Sequence, residues 1–411
     1  MPYFFGLPVV ENFIADSIPH DPIKEAPMGM PPSVRKLPVN GNSGIATGVR
    51  RYRPYFIEAS SSELKQQIRK LVAGQIDELP KPPPGTRRIV IASPASAGER
   101  RFCLQLGDAM AKLGHEWCVC SNRIASMAEK MNANLFISSA FWEGPPPPRI
   151  LSLLYIHSPG CVSPENYHSI SAYDNFLFAQ SGTNDLEEYF RKNGKNFRAL
   201  KTYLTLSKTK FCDSPKKRIV YVGFFNEPRR RDEFAKLFQL LDETGYCEFY
   251  GPKHAWHKSA PHSWKREMPL RDLRDVQNVM EPAGIALLLH AKQQFESGSP
   301  VYRDFEALSS SCIIITEKTA FMQKNFGDCV LFIDTDKPVD EIFEQIDNHV
   351  KWIHAHPEEA VEMARKSHKI FCDKFSLEGE CEKILKFVDE ISTSQARPSG
   401  EAEPESQIAN V

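Results

Sequence analysis

Two successive runs of short apolar strands alternating with amphipathic helices constrain this chain more than any other feature. The first opens at Arg87, where RRIVIAS reads as a buried strand, SPASAGERR as a loop and RFCLQLGDAMAKLGHE as a helix ending near Gly114. WCVCSN, NLFISSAF, ILSLLYIHS and NFLFAQS follow as further strands, and NDLEEYFRKNGK is a helix that stops at its glycine. The second begins at KKRIVYVGFFNEPRRRDEFAKLFQLLDETGY and continues through CEFYG, GIALLLH, CIIITE and CVLFID. A strand that returns to its own sheet through a helix makes a parallel sheet with helices on both faces. The expectation is therefore an α/β chain of two Rossmann-like domains, joined near residues 205 to 216.

The boundaries expected are an N-terminal extension at 1–85, a first domain at 86–210, a second domain with closing helices at 211–391, and a tail at 392–411. Residues 1–50 are rich in Pro, Gly and Asn without sustained periodicity, which reads as an irregular arm. In SSELKQQIRKLVAGQIDEL (61–79), Leu64, Ile68, Leu71, Val72, Ile76 and Leu79 stand at helical spacing behind a serine cap. KPPPG ends that docking helix. The stretch from Val339 reads as three helices, broken near Ala355 to Pro357 and near Phe375 to Ser376. From Ser392 the sequence is polar and aperiodic, so a disordered tail is expected.

The 411 residues carry 51 Lys and Arg against 52 Asp and Glu. That neutral balance argues against a protein that coats nucleic acid, and the basic aromatic run VRRYRPYF at 49–56 reads as a packed arm. Apolar runs such as Ile285–Leu289 and Leu153–Ile156 are far shorter than the roughly 18 residues a membrane-spanning helix needs. The first residues are apolar but lack a basic flank, contain Glu11 and Asp16 and are cut by prolines, which makes a poor signal peptide. A cytoplasmic location is expected. The ten cysteines are scattered without a CxxC pair, so reduced, buried thiols are expected and no metal site.

Parallel sheets bind ligands outside the carboxyl ends of their strands, so two such domains facing each other make a cleft lined by strand-end loops. GIALLLH, then SPVYRDFEALSSSCIIITEK, then the segment from FGDCVLFID to FSLE resemble the C-terminal half of GT-B glycosyltransferases of the CgeB-like, "glycosyl transferases group 1" type. The resemblance covers residues 218–388 and, more faintly, 86–210. It implies two domains facing across a cleft, a nucleoside-diphosphate sugar held by the second, an acceptor of unspecified kind held by the first, and transfer with neither cofactor nor obligatory metal.

The site residues follow from that likeness. The loop ESGSPV precedes a helix start, so backbone N–H groups at Ser299 and Val301, with Pro300 between them, and the helix dipole suit a diphosphate. Glu306 would face the nucleotide ribose, because a carboxylate accepts from both ribose hydroxyls. Arg303 would contact the phosphates through its planar fork of donors. Similar enzymes with retaining chemistry carry a second acid eight residues before this glutamate. Here that place is Gly298, and Glu296 stands nearby in the loop as the candidate.

Gly223 opens GFFNEPRRRDEF, where Arg229, Arg230 and Arg231 are candidates to neutralise the leaving diphosphate. His290 ends the strand GIALLLH, where the family places a histidine facing the donor. His157, at the carboxyl end of LSLLYI, is a candidate base or sugar contact. Glu99, in the loop after the first strand, is a candidate acid or base beside Gly98, and Asp174 and Glu165 are further cleft candidates. Two other functions fit the same fold: a noncatalytic nucleotide-binding or scaffold protein, and a nucleotide-sugar epimerase or hydrolase.

Overall fold

A computed structural model describes residues 56–395 apart from 94–96, 140–144, 157–165, 179–183, 214–216, 224–230, 257–259 and 267–273. The first half runs β1 (Ile57–Ala59), α1 (Ser62–Val72), β2 (Arg88–Ala92), α2 (Ala97–Lys112), β3 (Glu116–Cys120), α3 (Asn122–Ala125), β4 (Leu135–Ser138), β5 (Leu151–Ile156), α4 (Tyr167–Ile170), β6 (Asn175–Phe178), α5 (Asn184–Lys192) and β7 (Arg198–Lys201). The second runs β8 (Arg218–Val222), α6 (Arg231–Glu243), β9 (Cys247–Tyr250), α7 (Lys253–Trp256), β10 (Trp264–Arg266), α8 (Gln277–Ala283), β11 (Gly284–Leu288), α9 (Lys292–Ser297) and α10 (Tyr302–Ser309). β12 (Ile313–Glu317), α11 (Ala320–Phe326), β13 (Leu331–Ile333), α12 (Val339–Ala355), α13 (Pro357–Lys374) and α14 (Leu377–Gln395) complete it.

The strands form two sheets, as the alternation requires. One has seven strands in the order β1-β3-β2-β4-β5-β6-β7, and the other six in the order β10-β9-β8-β11-β12-β13. Pairing is parallel except for β1, which runs antiparallel to β3 with Ile57 opposite Cys120 and Ala59 opposite Cys118. In each sheet the first strand of the β/α series lies inside, with its successors on either side. That arrangement puts switch points between β2 and β4 and between β8 and β11, where parallel sheets open a crevice.

The expected boundaries shift in two places. Residues 57–79 are part of the first domain, because β1 covers the edge of β3 and α1 packs Leu64, Ile68 and Leu71 into the core that holds Val90, Cys118 and Phe136. Ser61 caps α1, its Oγ accepting from the Leu64 N–H at 3.1 Å. The three closing helices break where the sequence indicates, but α14 continues through Gln395, past the expected start of the tail at 392. This last helix also leaves the second domain. Its stripe Leu377, Cys381, Ile384, Val388 and Ile391 packs in one cluster with Phe102, Leu106, Ala109 and Met110 of α2. Periodicity reveals an apolar face but not which partner face it meets.

The chain thus crosses between the domains twice, and the two crossings are stitched together. Thr205 Oγ1 donates to the Phe375 carbonyl at 2.6 Å, and the Leu377 N–H donates to the Leu206 carbonyl at 2.7 Å. Buried Glu380 accepts from the Tyr203 N–H at 3.1 Å and pairs with Lys383 at 2.8 Å. No helix among the described residues is long and apolar enough to cross a membrane.

Candidate functional site

The second domain's switch point is built around a buried histidine. β11 delivers His290 to its carboxyl end, next to β12, whose own end carries Glu317. The His290 N–H donates to Glu317 Oε2 at 2.6 Å, and the ring sits between Glu317 Oε2 (Nδ1, 3.3 Å) and Asp304 Oδ1 (Nε2, 3.1 Å). Burial works against the imidazolium, but the two flanking carboxylates outweigh it and raise the histidine pKa to about 9. Glu317, which also accepts from Thr335 Oγ1 at 2.6 Å, is buried too, yet its bonds with His290 and Thr335 hold it below the usual glutamate range. His290 is therefore a charged pin. Both ring nitrogens are committed to carboxylates, Glu317 and Asp304, where the resemblance expects a histidine facing the donor.

The pin orients α10. Asp304 accepts from the Val301 N–H through Oδ2 at 2.9 Å while its other oxygen holds His290. One carboxylate thus caps the helix and fixes it to the end of β11. The loop before α10 has less to offer an anion than its sequence suggests. The Val301 N–H belongs to Asp304, Pro300 has none, and the buried Ser299 directs its N–H to Ser297 Oγ at 3.3 Å. Glu296 and Ser297, expected in the loop ESGSPV, instead end α9, which stops at Gly298 in the left-handed region (φ 63°). Glu296 lies on that helix, exposed and 3.8 Å from Lys292. The structure does not bring it to Glu306.

Glu306, one turn into α10, is 1% exposed. Its carboxylate pairs with Arg303 Nη1 at 2.6 Å on its own helix and with Arg101 from α2 of the first domain. Arg101 is 5% exposed, and its guanidinium lies over the Tyr302 ring at 5.4 Å. Tyr302 donates to Gln105 Oε1 at 2.6 Å and meets the edge of Phe102 at 6.4 Å. Four residues of α2 and α10 thus lock the domains together around Glu306. Arg303 is turned to Glu306 as well, so both expected ligands of a nucleotide are engaged with protein partners.

Gly223 lies at the end of β8, across the switch point from β11. Its carbonyl accepts from Trp256 Nε1 at 3.0 Å, and Gly251 approaches so closely that a Cβ there would stand 2.2 Å from that oxygen. Glu99 belongs to α2, which starts at Ala97 rather than after the expected loop, and its side chain lies outside the described residues. The first turn of α2, Ala-Gly-Glu-Arg, has no apolar period to announce it. His157, Glu165, Arg229 and Arg230 also lie outside the described residues, as do the arm and the tail beyond 395. Arg231 begins α6, its side chain again outside them. Asp174 pairs with Lys195 at 2.6 Å on the surface.

Sequence reasoning passed over Arg101, Asp304 and Glu317. Arg101 sits in GERRF beside Arg100, at the end of the stretch expected as a loop; Arg100 covers the Phe56 ring at 4.2 Å. Asp304 was visible as the acid three residues after Val301, the spacing of a helix-capping carboxylate.

No protein-family model matches the chain, and no curated protein resembles it significantly in sequence. Solved structures do resemble it. The α,α-trehalose 6-phosphate synthase from Burkholderia multivorans superposes with a TM-score of 0.51 at 8% identity, covering 76% of this chain and 100% of that one. A glycosyltransferase from Rickettsia africae gives a TM-score of 0.50 at 12% identity, over 75% of this chain and 99% of that one. The pneumococcal O-GlcNAc transferase GtfA gives 0.44 at 14% identity, and the match spans 66% of this chain but 60% of that protein. The chain has the GT-B fold.

Proposed function

We propose that the protein is a glycosyltransferase that moves a sugar, a hexose in the simplest reading, from a nucleoside-diphosphate sugar to an acceptor. The observation that carries the reading is the buried carboxylate of Glu306, set by a pinned helix at the second domain's switch point and flanked by the guanidiniums of Arg101 and Arg303. A ribose needs an acceptor for its two hydroxyls, and a diphosphate needs fixed positive charge beside it. Two of the fold's neighbours are named as a trehalose 6-phosphate synthase and a glycosyltransferase, which supports the same class.

In this reading Glu306 accepts from the ribose hydroxyls and Arg303 contacts the phosphates. As the bond from sugar to diphosphate breaks, negative charge grows on the leaving oxygens, and fixed guanidiniums stabilise it. Arg229 and Arg230, which follow Gly223 in the sequence, are assigned to that charge. His157 and Glu99 are assigned to the acceptor side, where a base takes the acceptor's proton. The reaction uses neither cofactor nor metal and takes place in the cytoplasm. His290 acts through Asp304, as a positioning residue for α10.

A second reading, nucleotide binding without transfer, has its own observation. At Gly298, where retaining relatives carry an acid, a Cβ would lie 2.9 Å from Ala320 Cβ, so the site has no room for that side chain as built.

A thermal-shift panel of UDP, GDP, ADP, CMP and their sugars tests both readings, since a ligand at 100 times its Kd stabilises by about 2.7 kcal/mol. Binding of one nucleotide sugar, lost on Glu306→Gln, followed by product analysis with candidate acceptors, is the expected outcome. Silence across the panel at saturating ligand would remove the transferase reading. Binding without any transferred or free sugar would favour the second.

A further inference from the structure

Arg101 has more hydrogen-bonding capacity than its surroundings use. One Nη of its buried guanidinium meets Glu306 and the group lies beside the Tyr302 side chain, while Nε and the other Nη make no well-directed hydrogen bond among the described residues. Buried donors without acceptors are costly, and a guanidinium cannot escape by losing its proton. At the same point two guanidiniums share one carboxylate, which leaves the immediate cluster with surplus positive charge. Both facts describe a place whose donors and charge favour an anion.

From these contacts we infer that Arg101 is a partner-exchanging latch, an inference that rests on the nucleotide-sugar reading of this same site. Without ligand, Arg101 of the first domain holds Glu306 of the second and blocks the carboxylate a ribose would use. When the donor's diphosphate arrives, the guanidinium turns its fork from Glu306 to the phosphate oxygens. Its Nε and other Nη gain well-directed acceptors, and Glu306 is released to the ribose hydroxyls. The diphosphate thereby unlocks the ribose subsite, and a nucleoside without phosphate meets it still locked. Recognition of the two halves of the donor is coupled through one side chain, contributed by the domain opposite the rest of the nucleotide site.

The test uses the full chain and three probes: pyrophosphate, uridine and UDP, with the guanosine and adenosine pairs run alongside. For the wild type, the nucleoside diphosphate that fits is expected to bind at least 100 times more tightly than its nucleoside. In Arg101→Met the nucleoside is expected to bind more tightly than in the wild type, the diphosphate more weakly, and the ratio between them to fall at least tenfold. Arg101→Lys keeps the charge beside Glu306 and serves as the folded control; it is expected to fall between the two. Pyrophosphate is expected to bind the wild type at least tenfold more tightly than Arg101→Met.

An unchanged diphosphate-to-nucleoside ratio in a folded Arg101 variant would overturn the latch. So would pyrophosphate binding that depends on Arg101 beside a ratio that does not, since the anion would then belong to the acceptor. If pyrophosphate binding needs Arg101 but no nucleotide binds more tightly than pyrophosphate, the latch as stated falls together with the nucleotide-sugar reading, while the anion site stands. Failure of the latch with nucleotide binding intact leaves that reading in place.

Discussion

Arg101 and Glu306 lie on helices of different domains and form an ion pair in which both side chains are almost wholly removed from water. A buried pair contributes little net stability, but losing one partner leaves the other charged and unsolvated. Glu306→Ala leaves Arg101 and Arg303 facing each other and is expected to cost about 3–5 kcal/mol. The double variant Arg101→Met/Glu306→Leu, which removes both charges of the interdomain pair, is expected to recover most of that loss. Urea denaturation of the wild type and the two variants checks it; a double variant no more stable than Glu306→Ala would show that the two residues do not act as a pair.

His290 makes stability depend on pH with a defined sign. Its folded pKa of about 9 lies above the ordinary histidine value of 6.5, so its contribution is complete below about 6.5 and fades as the pH rises through 9. The loss over that window is of the order of 3 kcal/mol, at about 1.4 kcal/mol per pKa unit. Glu317, held below its ordinary value, contributes in the opposite sense: its share is present above about 4.5 and is lost as the pH falls through the lowered value. Chemical denaturation at pH 6 and pH 9.5 is expected to show the decline, and His290→Gln to flatten it. A wild-type midpoint unchanged across the window would mean that the imidazole is not charged in the folded protein.

The sheets were readable because each parallel strand buried on both faces is a continuous apolar run, and runs such as RIVIA and IIITE have no other plausible home. The closing helices were equally plain, since Pro357 and the Phe375–Ser376 break interrupt a strong period. What the sequence hides is the choice of partner. The stripe on α14 suits either domain, and Arg101 looks like any arginine on a helix until the fold sets it against Glu306. Glu306 itself was legible through its resemblance, but its present engagement with protein guanidiniums was not. His290 was legible as a strand-end histidine, whereas its role depends on Asp304 and Glu317, which lie 14 and 27 residues away in sequence.

The return of α14 to the first domain sets where its mutations are felt. Ile384 is fully buried in the cluster with Phe102 and Leu106, so Ile384→Ala is expected to cost about 2–5 kcal/mol. Hydrogen exchange should show the loss in α2 and β3 of the first domain while α12, which packs Ile346 and Val350 in the second domain's core, keeps its protection. Equal loosening of both domains would mean that they unfold as one unit.

Gly298 separates a site that has lost an acid from one that never had room for it. Its φ of 63° is strained for any side chain, by about 1–2 kcal/mol, and a Cβ would press on Ala320 at 2.9 Å. The Phe321 N–H also donates to the Gly298 carbonyl at 3.1 Å, so the backbone is not free to rotate away. Gly298→Ala is therefore expected to destabilise the protein by about 1–3 kcal/mol, and Gly298→Glu by at least as much. Removing the opposing methyl with Ala320→Gly should relieve the contact but not the backbone strain, so the double variant with Gly298→Ala should recover part of the loss. Thermal or urea denaturation of the set measures this. Full stability of Gly298→Glu would show that the loop adapts to a carboxylate, and would remove the steric basis for nucleotide binding without transfer.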